Sequence, residues 1–182
     1  MSLIRLASMS EKTYSLVNVV TNALLFQLAW VSLVLNFYGG LLGLLFVLLM
    51  LFHRLMVTNT LKREMILILV LCLLGVFSDA AMFSLGVYQP VDDRAFYLVP
   101  IWLVGLWFGF SMTMYGSLNW LIEKPIYFTI VTTIAGPLSY MIGSELSAIK
   151  IASEQYPVMF IQWFLISILM VVMYQYLQKK VD

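Results

Sequence analysis

Met65 to Val87 reads MILILVLCLLGVFSDAAMFSLGV, an apolar run with a single charge, Asp79, set in its second half. A hydrocarbon core of ~30 Å needs about 20 apolar helical residues to cross it, and this run supplies them. A carboxylate at that depth costs on the order of several kcal/mol unless it is paired, hydrated or neutralised, so Asp79 calls for polar partners on neighbouring helices. On helical spacing its own face carries Cys72, Gly75, Asp79 and Gly86, a strip of small residues interrupted only by Met82 or Phe83 and of the kind that admits a close neighbour. The stretch therefore sets a carboxyl group at a tight contact inside a membrane.

The rest of the chain has the same character. Of its 182 residues 63% are hydrophobic and 10% charged, and the mean hydropathy is +0.98; soluble domains run at ~45–50% apolar. The sequence predicts an all-α, polytopic membrane protein, a single integral membrane domain over 1–182 with spans at about 14–35, 41–56, 65–87, 96–116, 125–143 and 156–177. The first apolar run is too long for the core of a signal peptide and is expected to remain as a helix. Loops are predicted at Asn36–Gly40, Thr58–Glu64, Gln89–Arg94 and Asn119–Lys124, and a short helix on the membrane surface within Ser144–Gln155, where Leu146 and Ile149 share a face.

A net charge of +1 argues against a nucleic-acid partner. One Cys and one His make no protein-built metal site, and phosphate-cradling glycine loops and serine or cysteine catalytic constellations are missing from the sequence, so no metal and no cofactor is expected. The basic residues divide unevenly between the two sides of six spans. Arg5, Lys12, Arg54, Lys62, Arg63, Lys124, Lys179 and Lys180 fall on one side, Arg94 and Lys150 on the other. The positive-inside bias then puts both termini in the cytoplasm.

Counted at 1.5 Å per residue, Asp79 lies about 21 Å above the cytoplasmic end of its span. Gln27, Trp102, Pro137, Tyr140 and Gln162 fall within about one turn of that level. Polar residues that serve only to join helices need not share a height, so the sequence points to one polar pocket in the outer half of the bilayer. Asp79 is its candidate acid or anchor, and Gln27, Asn22, Trp102, Tyr140, Gln162 and Trp163 form its candidate lining. In span one the stripe Ser15, Asn18, Asn22, Ala29, Ser32, Asn36 is expected to face protein, with Gln27 on nearly the opposite side. Gly75, Gly105, Gly109 and Gly136 are the candidate sites of close helix packing.

FQLAW in span one, SDAAMFSLG around Asp79, PIWLVGLWFGF in span four and GPLSYMIGSEL in span five together resemble a family of small bacterial inner-membrane proteins catalogued only as a domain of unknown function. The resemblance covers nearly the whole chain. It implies the bacterial cytoplasmic membrane and no activity. Three functions fit the residues: binding or modifying a lipid or isoprenoid-like molecule, small proton- or cation-coupled transport through Asp79, or service as a non-catalytic subunit that meets another copy or a membrane partner protein.

Overall fold

A computed structural model of the chain describes residues 3–58, 60–91 and 99–179. Long runs of Leu, Val, Ile and Phe that must satisfy their own backbone groups can do so only as helices in an apolar medium. Among the described residues seven of them form: α1 (Leu3–Val34), α2 (Leu41–Val57), α3 (Leu61–Ser84), α4 (Ile101–Thr113), the short α5 (Asn119–Ile122), α6 (Pro125–Glu145) and α7 (Tyr156–Lys179). Four of the helical stretches, 15–34, 61–84, 125–145 and 153–179, are long and apolar enough to cross a membrane; α2 and α4 are apolar but shorter.

The helices form two pairs joined by a bridge. α1 packs on α2 and α6 on α7, while α3 and α4 pack together; α4 also meets α1 and α2, and α3 meets α7. α1 and α6 form no extended contact, which leaves a cleft between the two pairs. Being surrounded by α1, α2 and α3, α4 buries Leu103, Leu106, Trp107 and Met112, while Ile101 and Val104 in its first turns stay exposed. The outer faces stay apolar: Leu48 and Phe52 on α2, Ile126 and Ile130 on α6, and Ile161 and Leu165 on α7 are all exposed.

At one end of the bundle an ion pair ties α2 to α3 and to the turn that follows α4. The Arg54 guanidinium donates from Nε and Nη2 to the Glu64 carboxylate at 2.5 and 2.7 Å, and from Nη1 to the Tyr115 carbonyl at 2.7 Å. Glu64 is buried, and the forked geometry with the added Thr60 hydroxyl offsets the cost of removing it from water. Arg63 donates to the Gln178 carbonyl at the same end. At the opposite end Gln89 and Lys150 exchange backbone hydrogen bonds, linking the segment after α3 to the α6–α7 connection.

Three local expectations change. Asn119–Ile122 is a helical turn, not a polar loop, because Leu121 and Ile122 are buried. No surface helix forms over 144–155; the chain turns through Ser147 at φ 59° and a 3-10 turn at Ser153–Gln155, and Ile149 buries itself while Leu146 stays exposed. In α1 the middle of the polar stripe, Asn22, Ala29 and Ser32, is buried, whereas Ser15 and Asn36 are exposed. Pro125 opens α6 and Pro100 immediately precedes α4. The Gln89–Arg94 loop and the start of the fourth span fall partly on 92–98, outside the described residues.

Candidate functional site

Asp79 is fully buried on α3, and three other helices bring donors to its carboxyl group. Trp107 of α4 donates its indole Nε1–H to Oδ2 at 2.6 Å, Tyr140 of α6 donates its hydroxyl to the same oxygen at 2.5 Å, and Gln162 of α7 donates its amide to Oδ1 at 3.0 Å. Gln162 is itself held, donating also to Ser78 Oγ at 2.9 Å and accepting from the Tyr88 hydroxyl at 2.5 Å. Tyr88 reaches this group because the chain turns back after α3: Gly86 takes φ 73°, and the Val87 and Tyr88 amides both bond to the Met82 carbonyl. The left-handed conformation at 86 is one that glycine adopts without strain.

The rings that supply these donors stack. Tyr88 lies on Tyr140 with centroids 5.0 Å apart, and Trp107 lies nearly parallel to Trp163 at 5.3 Å and 19°. Two glycines make room for the tryptophan pair. A Cβ at Gly75 would overlap the Trp107 ring, and a Cβ at Gly136 would overlap the Trp163 ring. The small strip on α3 thus admits a neighbouring aromatic ring in place of a neighbouring backbone, and the layers run Gly75, Trp107, Trp163, Gly136 from α3 through α4 and α7 to α6. Gly105 and Gly109 are looser. Around them an added Cβ meets only side chains, Leu44 at 3.0 Å in the first case and Phe26 at 3.4 Å in the second.

Beside this stack the cleft between the helix pairs holds a cavity of about 480 Å³. Phe26, Gln27 and Trp30 of α1 form one wall and residues 131–143 of α6 the other, with Trp102, Trp107 and Trp163 across the back. Asp79 and Gln162 do not line it. The carboxyl stands behind the wall, where its bonds fix the polar ends of Tyr140 and Trp107 and leave their ring surfaces to the cavity. Asp79 thereby orients the wall, and no group entering the cavity meets the carboxyl directly. Gln162 instead borders a second, shallower groove of about 390 Å³ between α3 and α7.

Of the residues expected together, Asp79, Tyr140 and Gln162 share one hydrogen-bonded group, and Gln27, Trp102, Tyr140 and Trp163 share one cavity. Asn22 belongs to neither. Its side-chain oxygen accepts from the Ser117 amide and hydroxyl, both at 2.9 Å, in the turn between α4 and α5, and its side chain fills the space a Cβ at Gly116 would need. Its helical register matched a protein-facing stripe, and that stripe runs past the pocket toward the turn between α4 and α5. Three participants fall outside the expected lining. Trp107 is an indole needing an acceptor in a chain whose long apolar runs hold one acid, whereas Tyr88 and Ser78 are recruited only by the turn at Gly86 and the pose of Gln162. Among the described residues no cluster of His, Cys, Asp and Glu is arranged to hold a metal ion.

The family described as "Protein of unknown function (DUF2878)" matches residues 19–172, and the chain belongs to it. No curated protein and no solved structure matches the chain.

Proposed function

We propose that this member of the unknown-function family is a six-span protein of a bacterial inner membrane, both termini cytoplasmic, that binds a lipid or isoprenoid-like molecule in the cleft between α1 and α6. The observation that carries the reading is the cavity of about 480 Å³ whose aromatic back wall is held in place by the buried Asp79. Ligand sites of small molecules occupy ~300–1,000 Å³ and are lined mainly by apolar and aromatic side chains. A helix pair that packed only for stability would close such a space, since an empty cavity of this size forfeits dispersion contacts. The placement between two helix pairs, with exposed Val131, Leu138 and Ile142 on α6 around it, lets a lipid enter sideways from the bilayer.

Asp79 serves here as a positioning group. Its two oxygens already accept three hydrogen bonds, and it lines no part of the cavity. Binding therefore fits the geometry better than acid catalysis by this residue. The six-span topology draws support from the Arg54–Glu64 pair, Lys62, Arg63 and Lys124 at one end, opposite the Gln89–Lys150 bridge.

Extraction of the protein purified in mild detergent, followed by mass spectrometry of the organic phase, tests the reading. We expect one lipid species enriched over the membrane composition at about one per chain. Recovery of bulk lipid in membrane proportions would contradict it, a stoichiometric co-purifying protein would favour a subunit role, and proton-driven flux in liposomes would favour transport.

A further inference from the structure

Resting on the lipid-binding reading, the outline of the cavity limits what can lie in it. On α6 the lining positions run from Val131 to Gly143, about 18 Å along the helix. Val131, Ala135, Leu138 and Ile142 recur at successive turns and are exposed, so the cavity is a slot open sideways along that length. A volume of about 480 Å³ spread over it averages roughly 27 Å² in section, far less than a helix about 10–12 Å across requires. The slot has room for one chain and none for a partner's helix.

Its two ends differ. Asn22, one turn before Phe26 on α1, is bonded to Ser117, which puts Leu118 at the foot of the slot. Leu121 lines the same end and is buried together with Ile122 and Phe128, so the floor is sealed. Val131, the lowest α6 position in the lining, is about 9 Å inside the helix from Pro125. The opposite end, at Val34 and Gly143, falls where α1 and α6 finish. No Lys, Arg, Asp or Glu among the described residues lines the slot, so a polar head is unfavourable anywhere but at this second end, where the helices give way to the interface.

We infer that the slot takes one linear apolar tail, prenyl or acyl, of a lipid whose head stands at the ends of α1 and α6, and that Leu118 and Leu121 set the length of tail it holds. Each carbon laid along the wall adds to binding. A carbon beyond the floor must turn out past Val131 into surroundings as apolar as those it left, and adds nothing.

Two series of primary alcohols of increasing length, prenyl and straight-chain, test this on the full-length protein in detergent, with affinity taken relative to partition into empty micelles. In the series that binds, affinity should climb with tail length and then level off. Leu121→Ala should move the break to a longer tail and Leu118→Phe to a shorter one. A probe of the break length with a diazirine at its tail end should crosslink to residues 118–121 of the wild type, and one with the diazirine beside the hydroxyl to Val34 or residues 142–149. The crosslinks stand without the variants should either fail to fold. Affinity that climbs without a break, a break that neither folded variant moves, or tail-end crosslinks at Val34 would overturn the inference and leave lipid binding intact. Failure of both series to bind would overturn the lipid-binding reading as well.

Discussion

Asp79 accepts hydrogen bonds from three helices other than its own, and substitutions there separate its charge from its shape. An amide at this site can still satisfy Trp107 and Tyr140 through its oxygen, and the Gln162 amide can turn over to accept from the new NH₂, since the Tyr88 and Ser78 hydroxyls serve as donor or acceptor alike. Asp79→Asn should therefore fold, at a cost of about 1–2 kcal/mol for the weaker, uncharged bonds. Asp79→Leu strands the indole of Trp107, the Tyr140 hydroxyl and the Gln162 amide in the core, and at ~1–3 kcal/mol for each unsatisfied group it should cost about 3 kcal/mol or more. Thermal unfolding in detergent distinguishes them, and equal loss from both substitutions would show that the hydrogen bonds to the carboxyl do not hold the wall.

Among the elements, the glycine-bearing helices respond in an order that the sequence did not give. Gly105 and Gly109 carry the spacing of a close helix crossing, yet the tighter positions are Gly75 and Gly136, each filled by a tryptophan ring from another helix. Gly75→Ala should thus destabilise the fold by about 1–3 kcal/mol through overlap with Trp107, whereas Gly109→Ala, whose Cβ falls at contact distance from Phe26, should be close to neutral in the same unfolding experiment. Spacing along one helix locates a small face but is silent on what occupies it. For the same reason the depth argument found Asp79, Tyr140 and Gln162 from three separate spans, because height follows from residue counting, while the wrongly included Asn22 lay on the right face at the wrong level. Ile149 and Leu121 were misassigned because an apolar residue in a short polar segment can face the bundle or the membrane surface, and only the packing of α5 and of the α6–α7 connection decides between them.

At the scale of the whole molecule the hydrophobic pattern was the strongest signal, since backbone satisfaction in an apolar medium leaves helices as the available element. The cleft was not legible, because it follows from which helices fail to meet: α1 pairs with α2, α6 pairs with α7, and the two pairs are joined through α3 and α4. If these helices lie in the membrane as six spans, a cysteine introduced at Lys150 should react with an impermeant reagent from the outer side and one at Lys62 should not; labelling at 62 from outside would refute that topology. The most direct test of the cavity as a binding site is native mass spectrometry of the wild type beside Ala135→Phe, a substitution on the cavity wall at an exposed position of α6 where the added ring fills the space without entering the Asp79 group. We expect the wild type to carry one lipid per chain and the variant to be folded and empty; a variant that retains the lipid as fully as the wild type would contradict the assignment of this cavity as the binding site.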